Sequence, residues 1–106
     1  MNETACQKLA EFVGVLANPY RIRILCVLAL GEENVGGIAA AVSLSPPHVS
    51  AHLRVLYDRG YVSRRREWKQ VYYSLKDPGI GAFIDMAAQL ANQEAAKGLG
   101  ASRLAS

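Results

Sequence analysis

Apolar residues in the first half of the chain recur at intervals of three and four positions, which is the spacing of helices that bury one face. This spacing predicts four helices, over residues 4–17, 19–30, 35–42 and 46–59. Asn34 and Ser45 stand where the third and fourth helices need an N-cap, and prolines occupy the first turn of the second and the fourth. The first half of the molecule is therefore predicted to consist of four helices.

The spacing changes after the fourth helix, where apolar and polar residues alternate from Tyr61 to Leu75. A period of two is typical of strands, and the pair Trp68-Lys69 is the expected turn between two of them. The Asp-Pro-Gly run at 77–79 then opens a last helix. The predicted order is α-α-α-α-β-β-α, a mainly α fold with a β-hairpin, in one domain over residues 1–98 with a flexible tail over residues 99–106.

The composition fits one folded domain with a basic patch. The chain has 106 residues, of which 51% are hydrophobic, and a formal net charge of +3, so a wholly disordered chain is excluded. Its cations cluster between residues 54 and 69, at Arg54, Arg59, Arg64, Arg65, Arg66 and Lys69. The acidic residues Glu3, Glu11, Glu32 and Glu33 lie outside this stretch. A local cation cluster indicates a polyanionic partner such as nucleic acid.

Nothing in the sequence indicates export or insertion into a membrane. The N-terminus has no basic segment followed by an apolar run, so no signal peptide is expected. The longest apolar stretch, residues 22–30, is interrupted by Arg23 and is too short to cross a bilayer. Two cysteines do not make a secreted disulfide framework. We therefore expect a cytoplasmic protein without a membrane partner.

Two short helices joined by a tight turn and followed by a basic hairpin have the layout of a winged helix-turn-helix. In this fold the fourth helix enters the DNA major groove. The residues expected to face DNA from this helix are Ser45, Pro47, His48, Ser50, Ala51, His52 and Arg54. The hairpin, or wing, adds contacts to phosphates or the minor groove from Arg64, Arg65, Arg66 and Lys69. Alternation places Arg65 on the face opposite Arg64 and Arg66. Replacing Arg65 by alanine is expected to weaken binding to every DNA sequence.

Several motifs support this interpretation when they are taken together. The run SPPHVSAHLRVL at 45–56 is followed by GYV at 60–62, the second helix is entered through LANPYRIRIL at 16–25, and the wing contains VYYSL at 71–75. Over about residues 9–90 the chain resembles the ArsR/SmtB family of winged helix-turn-helix repressors. The resemblance implies a homodimer, an inverted-repeat operator in double-stranded DNA, and repression that an inducer relieves.

The first and last helices carry apolar residues that DNA binding does not use. A homodimer interface made from both helices would place two recognition helices about 34 Å apart, one turn of DNA. The residues predicted for this interface are Leu9, Phe12, Val13, Phe83, Ile84, Ala87 and Leu90. The alternative is a winged-helix module that binds another protein through this seam, against which the three consecutive arginines argue.

The resemblance implies two kinds of metal site, and this sequence lacks the usual ligands of both. One kind uses cysteines at the start of the third helix, where residues 32–38 contain none. The other uses pairs of Asp and His residues along the last helix, which has carboxylates but no histidine. His48 and His52 have a spacing that can bind zinc, but they lie on the DNA-reading helix. We expect no metal and no cofactor. A metal- or metalloid-responsive repressor with a non-standard site is the alternative, and a small organic effector stays open.

Cys26 lies in the second helix, where family members that sense reactive sulfur or oxidants carry a cysteine. Those members pair it with a cysteine of the last helix, which this chain lacks, so Cys6 of the first helix is the other candidate for a thiol switch. If the two helices were antiparallel, the cysteines would be offset by roughly 6 Å along the helix axis, within reach of a disulfide. The alternative is that both are small apolar packing residues.

Catalytic motifs are missing from the sequence. There is no Gly-rich phosphate loop and no HExxH motif, and Ser50 and His52 are two positions apart on a helix, so they face away from each other. We therefore expect a transcription regulator and not an enzyme.

Overall fold

The computed structural model describes the backbone of residues 1–105 and the side chains of residues 1–93. Its elements are α1 (Glu3–Leu16), α2 (Pro19–Leu30), β1 (Glu33–Asn34), α3 (Val35–Val42), α4 (Pro46–Asp58), β2 (Val62–Glu67), β3 (Gln70–Leu75) and α5 (Gly79–Ala105). The predicted order is confirmed, with one addition. Strand β1 was not expected, because two residues are too few to show alternation. The tail predicted over 99–106 lies outside the described side chains and stays a prediction.

Side-chain caps fix where the helices begin. Asn18 Oδ1 accepts hydrogen bonds from two backbone N–H groups in the first turn of α2, at 2.9 and 3.2 Å. Asn34 Oδ1 accepts from the Gly37 N–H at 2.8 Å, at the start of α3. These amides have no carbonyl partner inside the helix, so the caps stabilise both starts. Ser43, with a φ of 56°, ends α3 and makes the tight turn towards α4.

The three strands form an antiparallel sheet in the order β1-β3-β2. In the wing, Val62 pairs with Leu75 at the base and Glu67 pairs with Gln70 at the tip, which confirms the predicted two-residue turn. Strand β1 pairs with the middle of β3. The segment that leads into α3 is therefore attached to the wing.

The core lies between α2, α3, α4 and the base of the wing. Its most deeply buried side chains are Ile24, Leu25, Ile38, Val42, Val49, Leu53, Leu56 and Val62. No buried polar or charged side chain occurs in the part of the chain that the structure describes. Burial of each of these apolar side chains contributes about 1.5–3 kcal/mol to the free energy of unfolding. The core therefore anchors one face of α4 and leaves the opposite face to solvent.

Helices α1 and α2 meet at an angle of 88°. Asn18, between them, is extended (φ −150°, ψ 121°), as expected for a residue before proline, and this redirects the chain. The antiparallel arrangement assumed above for the two cysteine-bearing helices is therefore wrong. Within the described residues no single helix is long and apolar enough to cross a membrane, and only this bent pair reaches that length and composition.

Candidate nucleic-acid interface

The solvent-facing side of α4 carries most of the residues that were predicted to face DNA. Val49, Leu53 and Leu56 are completely buried and hold the helix against the core. The other side of the helix is exposed and consists of Pro47, His48, Ser50, Ala51 and Arg54. Apart from Arg54 these side chains are compact, so the helix backbone can approach base edges in a major groove.

Ser45 organises the N-terminal end of this helix. Its hydroxyl oxygen accepts a hydrogen bond from the His48 backbone N–H at 3.4 Å and lies 3.0 Å from His48 Nδ1. The hydroxyl therefore caps α4 and also holds the imidazole ring. His48 Nε2 is left available to a ligand, so Ser45 supports the exposed surface while His48 contributes to it.

His52 departs from the predicted outward set because it is half-buried. Its ring centroid lies 5.9 Å from that of Tyr20 in α2. Burial lowers the pKa of the imidazole, and the charges of Arg21 and His48 lower it further. Both effects favour the neutral form of the His52 ring. Its ring packs between α4 and α2, which sequence spacing alone does not indicate.

The wing places Arg64 and Arg66 on one face, as alternation predicted. The Arg64 guanidinium carbon lies 3.9 Å from the centre of the Tyr57 ring, so a cation–π contact ties the wing to α4. Arg66 is exposed, as is Lys69 in the turn. Neither forms an ion pair with a described acidic residue. Both charges are thus free to meet a phosphate.

Arg65, which was predicted to contact DNA from the wing, has a different environment from Arg64 and Arg66. Its guanidinium donates to both Glu32 carboxylate oxygens, at 2.8 and 2.6 Å, and to Glu67 Oε2 at 2.6 Å. It also lies 4.9 Å from the centre of the Tyr72 ring. These hydrogen bonds lower the pKa of Glu32 and raise that of Arg65. Arg65 therefore fastens the wing to the segment before β1.

Glu32 is the residue of this region that the sequence interpretation missed. It lies outside the basic stretch in sequence, and only the pairing of β1 with β3 brings it beside the wing. Alternation did place Arg65 on the opposite face from its neighbours. The alternation does not indicate which acidic residue lies against that face.

A second exposed surface lies on α1 and α5 and is apolar; we call it the α1/α5 face. The side chains of Leu9, Val13, Phe83 and Leu90 are between 38% and 54% exposed. Met86 of α5 is 58% exposed. Val13 and Phe83 also line a groove of about 300 Å³, together with Ala87 and Ala91.

Two residues predicted for this surface lie partly or wholly inside the monomer. Ile84 is only 8% exposed and belongs to the core. The Phe12 ring stacks on Tyr61 at 5.1 Å and meets the edge of Phe83 at 5.4 Å. The Tyr61 hydroxyl donates to the Phe12 carbonyl oxygen at 2.8 Å. These contacts attach α1 and α5 to the domain and set the position of the α1/α5 face.

The two cysteines are exposed and far apart within one chain. Cys6 lies about 15 Å from the end of α1 and Cys26 about 10 Å from the start of α2, so perpendicular helices separate them by roughly 18 Å. This exceeds the span of a disulfide. Cys26 borders a cavity of about 380 Å³ with Asp85 of α5. Burial, and then the Asp85 charge, raise the pKa of the Cys26 thiol.

The side chains that can bind metals do not converge in the described residues. No group of three or more His, Cys, Asp or Glu residues there could hold a metal ion. His48 is held by Ser45, whereas His52 packs near Tyr20. The expectation of a protein without a metal site stays a prediction.

Comparison with known proteins identifies the family of this chain. Residues 18–64, which include α2 to α4 and the start of the wing, match the family model for bacterial regulatory proteins of the arsR family. A probable mercury resistance operon repressor of Streptomyces lividans is 38% identical over 82% of this chain and 70% of its own length.

Solved structures agree with this match. Reduced HlyU from Vibrio cholerae superposes with a TM-score of 0.75 and 32% identity, over 83% of this chain and 93% of HlyU. The homodimeric winged helix-turn-helix DNA-binding domain of a possible ArsR-family regulator from Mycobacterium bovis superposes with a TM-score of 0.74 and 29% identity, over 88% of each chain.

Proposed function

The chain belongs to the ArsR family of bacterial regulatory proteins, and we propose that it is a homodimeric repressor that leaves an inverted-repeat operator in double-stranded DNA when an inducer acts. Membership of the family makes it a DNA-binding transcription regulator and not an enzyme. Its operator, its assembly and its inducer are the proposed parts. A cytoplasmic location, where the protein meets its operator, belongs to the same proposal.

The observation that carries the proposal is the exposed face of α4 beside a wing with unpaired cations. Ser50, His48 and Arg54 enter the major groove and contact base edges or phosphates. Arg66 and Lys69 neutralise phosphates beside that groove. Arg64 joins the wing to α4 through Tyr57. Arg65 has the separate role of holding the wing to Glu32.

The α1/α5 face supports a homodimer. Apolar side chains of both helices are exposed, Val13 and Phe83 among them line one groove, and water contact at such a patch is unfavourable. A symmetric contact between two copies covers the same residues on each. Two copies of α4 then meet two half-sites of an inverted repeat. The Mycobacterium bovis domain of similar fold is homodimeric, which supports a dimer of this chain.

The proposal is tested by titrating the protein against a labelled duplex from its own upstream region, with a scrambled duplex of equal length as the competitor. We expect preference for the upstream duplex and a logarithmic affinity that falls linearly with logarithmic salt concentration. Arg54→Ala should weaken binding, whereas Lys8→Ala, which removes the same charge from α1, should not. Equal binding to both duplexes, or equal effects of both variants, contradicts the proposal and favours the protein-interaction alternative.

The inducer is proposed to act on the dimer, and a thiol route has to satisfy the observed positions of the cysteines. An internal disulfide between Cys6 and Cys26 does not fit one chain with perpendicular helices. The thiol route proposed here is modification of Cys26, which borders a cavity with Asp85 at the contact between α2 and α5. Loss of DNA binding after persulfide or peroxide treatment, absent in Cys26→Ser, would support that route. Unchanged binding would direct the search to small ligands and non-standard metal sites.

A further inference from the structure

The tip of the wing carries the only tryptophan of the chain, Trp68. Its side chain is 88% exposed. Within the described residues, no aromatic ring stacks on the indole and no cation lies over it. A large apolar ring held in water is unfavourable in the free protein, so packing within the monomer does not account for it.

The backbone at this position is also unfavourable for tryptophan. Trp68 has a φ of 59°, in the left-handed region that glycine and asparagine adopt more readily. It is the first of two residues between Glu67 and Gln70, and two-residue hairpin turns favour glycine or asparagine there. Neither local conformation nor packing favours tryptophan at this site. Residues held in such conformations cluster at binding sites.

The charges beside the ring identify its partner. Lys69 follows it in the turn, and Arg66 is exposed two residues before it. The wing extends from α4, to which Arg64 attaches it through Tyr57. An apolar ring between cations fits the minor groove of duplex DNA, where phosphates line both edges and apolar side chains contact sugars and base steps.

We propose that Trp68 is a DNA-contacting residue that enters the minor groove beside the major groove occupied by α4. This inference rests on the proposed operator binding and adds a contact that the cations of the wing do not make. The ring packs against deoxyribose and the groove floor while Arg66 and Lys69 hold the flanking phosphates. The contact is apolar, so it depends little on salt concentration.

The intrinsic fluorescence of the protein reports this contact directly, because no other tryptophan contributes. We expect saturation with the labelled upstream duplex to change the tryptophan emission and to reduce its quenching by acrylamide. Unchanged emission and quenching, while the anisotropy of the DNA label shows full binding, would overturn the Trp68 contact and leave the proposed function standing. Absence of DNA binding even at low salt would overturn both.

Variants separate the contact from the turn. Trp68→Asn suits the left-handed backbone and should retain or raise the thermal midpoint, yet weaken DNA binding about tenfold. Its salt dependence should match that of the wild type, unlike that of Lys69→Ala. Trp68→Phe, which keeps an aromatic ring, should retain part of the affinity. Wild-type affinity in a folded Trp68→Asn protein would overturn the proposal.

Discussion

Two exposed surfaces of this molecule differ in chemistry although each includes one face of a helix. The face of α4 and the adjoining wing present serine, histidine, arginine and lysine side chains, whereas the α1/α5 face presents leucine, valine, phenylalanine and methionine. Charged and polar groups stay hydrated until they meet phosphates and base edges. Apolar groups need a protein surface to cover them. This difference is the reason that we propose DNA as the partner of the first surface and a second copy as the partner of the other.

The largest effect is expected from breaking the α1/α5 face. Phe83→Glu puts a charge where the apolar groove has to be covered, so the protein should become monomeric. A monomer meets one half-site only, and its affinity for the upstream duplex should fall by on the order of 100-fold. Sedimentation and DNA titration measure both effects. Leu30→Glu, at a leucine that is 92% exposed on α2, is the matched control and should stay dimeric.

The next effect separates the arginines of the wing. Arg66→Ala should weaken binding to every duplex and lower the salt slope by about 1, because one phosphate contact is lost. Arg65→Ala should leave that slope unchanged, because Glu32 and Glu67 already neutralise the guanidinium. Salt titrations of the two variants measure the difference. Equal slopes for both would contradict the separate role of Arg65.

The wing also marks the limit of what the sequence predicts. Periodicity located the helices, the turn and the opposite orientation of Arg65, because each depends on neighbours in the sequence. The Arg65–Glu32 pair depends on β1, whose two residues have no pattern of their own. The position of Ile84 in the core and of His52 near Tyr20 depends on how helices cross. The spacing of apolar residues along a helix does not predict the angle at which two helices cross. For this reason the 88° angle between α1 and α2 was not foreseen, and the assumed antiparallel arrangement was wrong.

A smaller effect is expected within the α4 surface itself. Ser50→Ala removes a hydroxyl from an exposed position without changing the core. Discrimination between the upstream duplex and single-base variants should fall by about 1 kcal/mol at one position of each half-site, with little change in salt slope. Competition against a panel of single-base variants measures it. An unaltered pattern of discrimination would remove Ser50 from the base-reading set.

The smallest effect concerns Cys26, which belongs to neither of the two surfaces. Its raised pKa leaves less thiolate at a given pH, and the thiolate is the form that reacts. In the Cys6→Ser protein at pH 8, iodoacetamide should therefore alkylate Cys26 more slowly when the protein is folded than in guanidinium chloride. The rate is followed by mass spectrometry. Faster alkylation in the folded protein would instead mark Cys26 as an activated thiol.

The measurement that tests the central claim most directly is a hydroxyl-radical footprint of the protein on its own upstream DNA. Two α4 helices related by a two-fold axis predict two protected patches, symmetric about one centre and about 34 Å apart. Hydroxyl radicals attack deoxyribose, so each patch should include protected sugars where a wing enters the minor groove. A single patch, or protection without a symmetric partner, would contradict a homodimer that reads an inverted repeat.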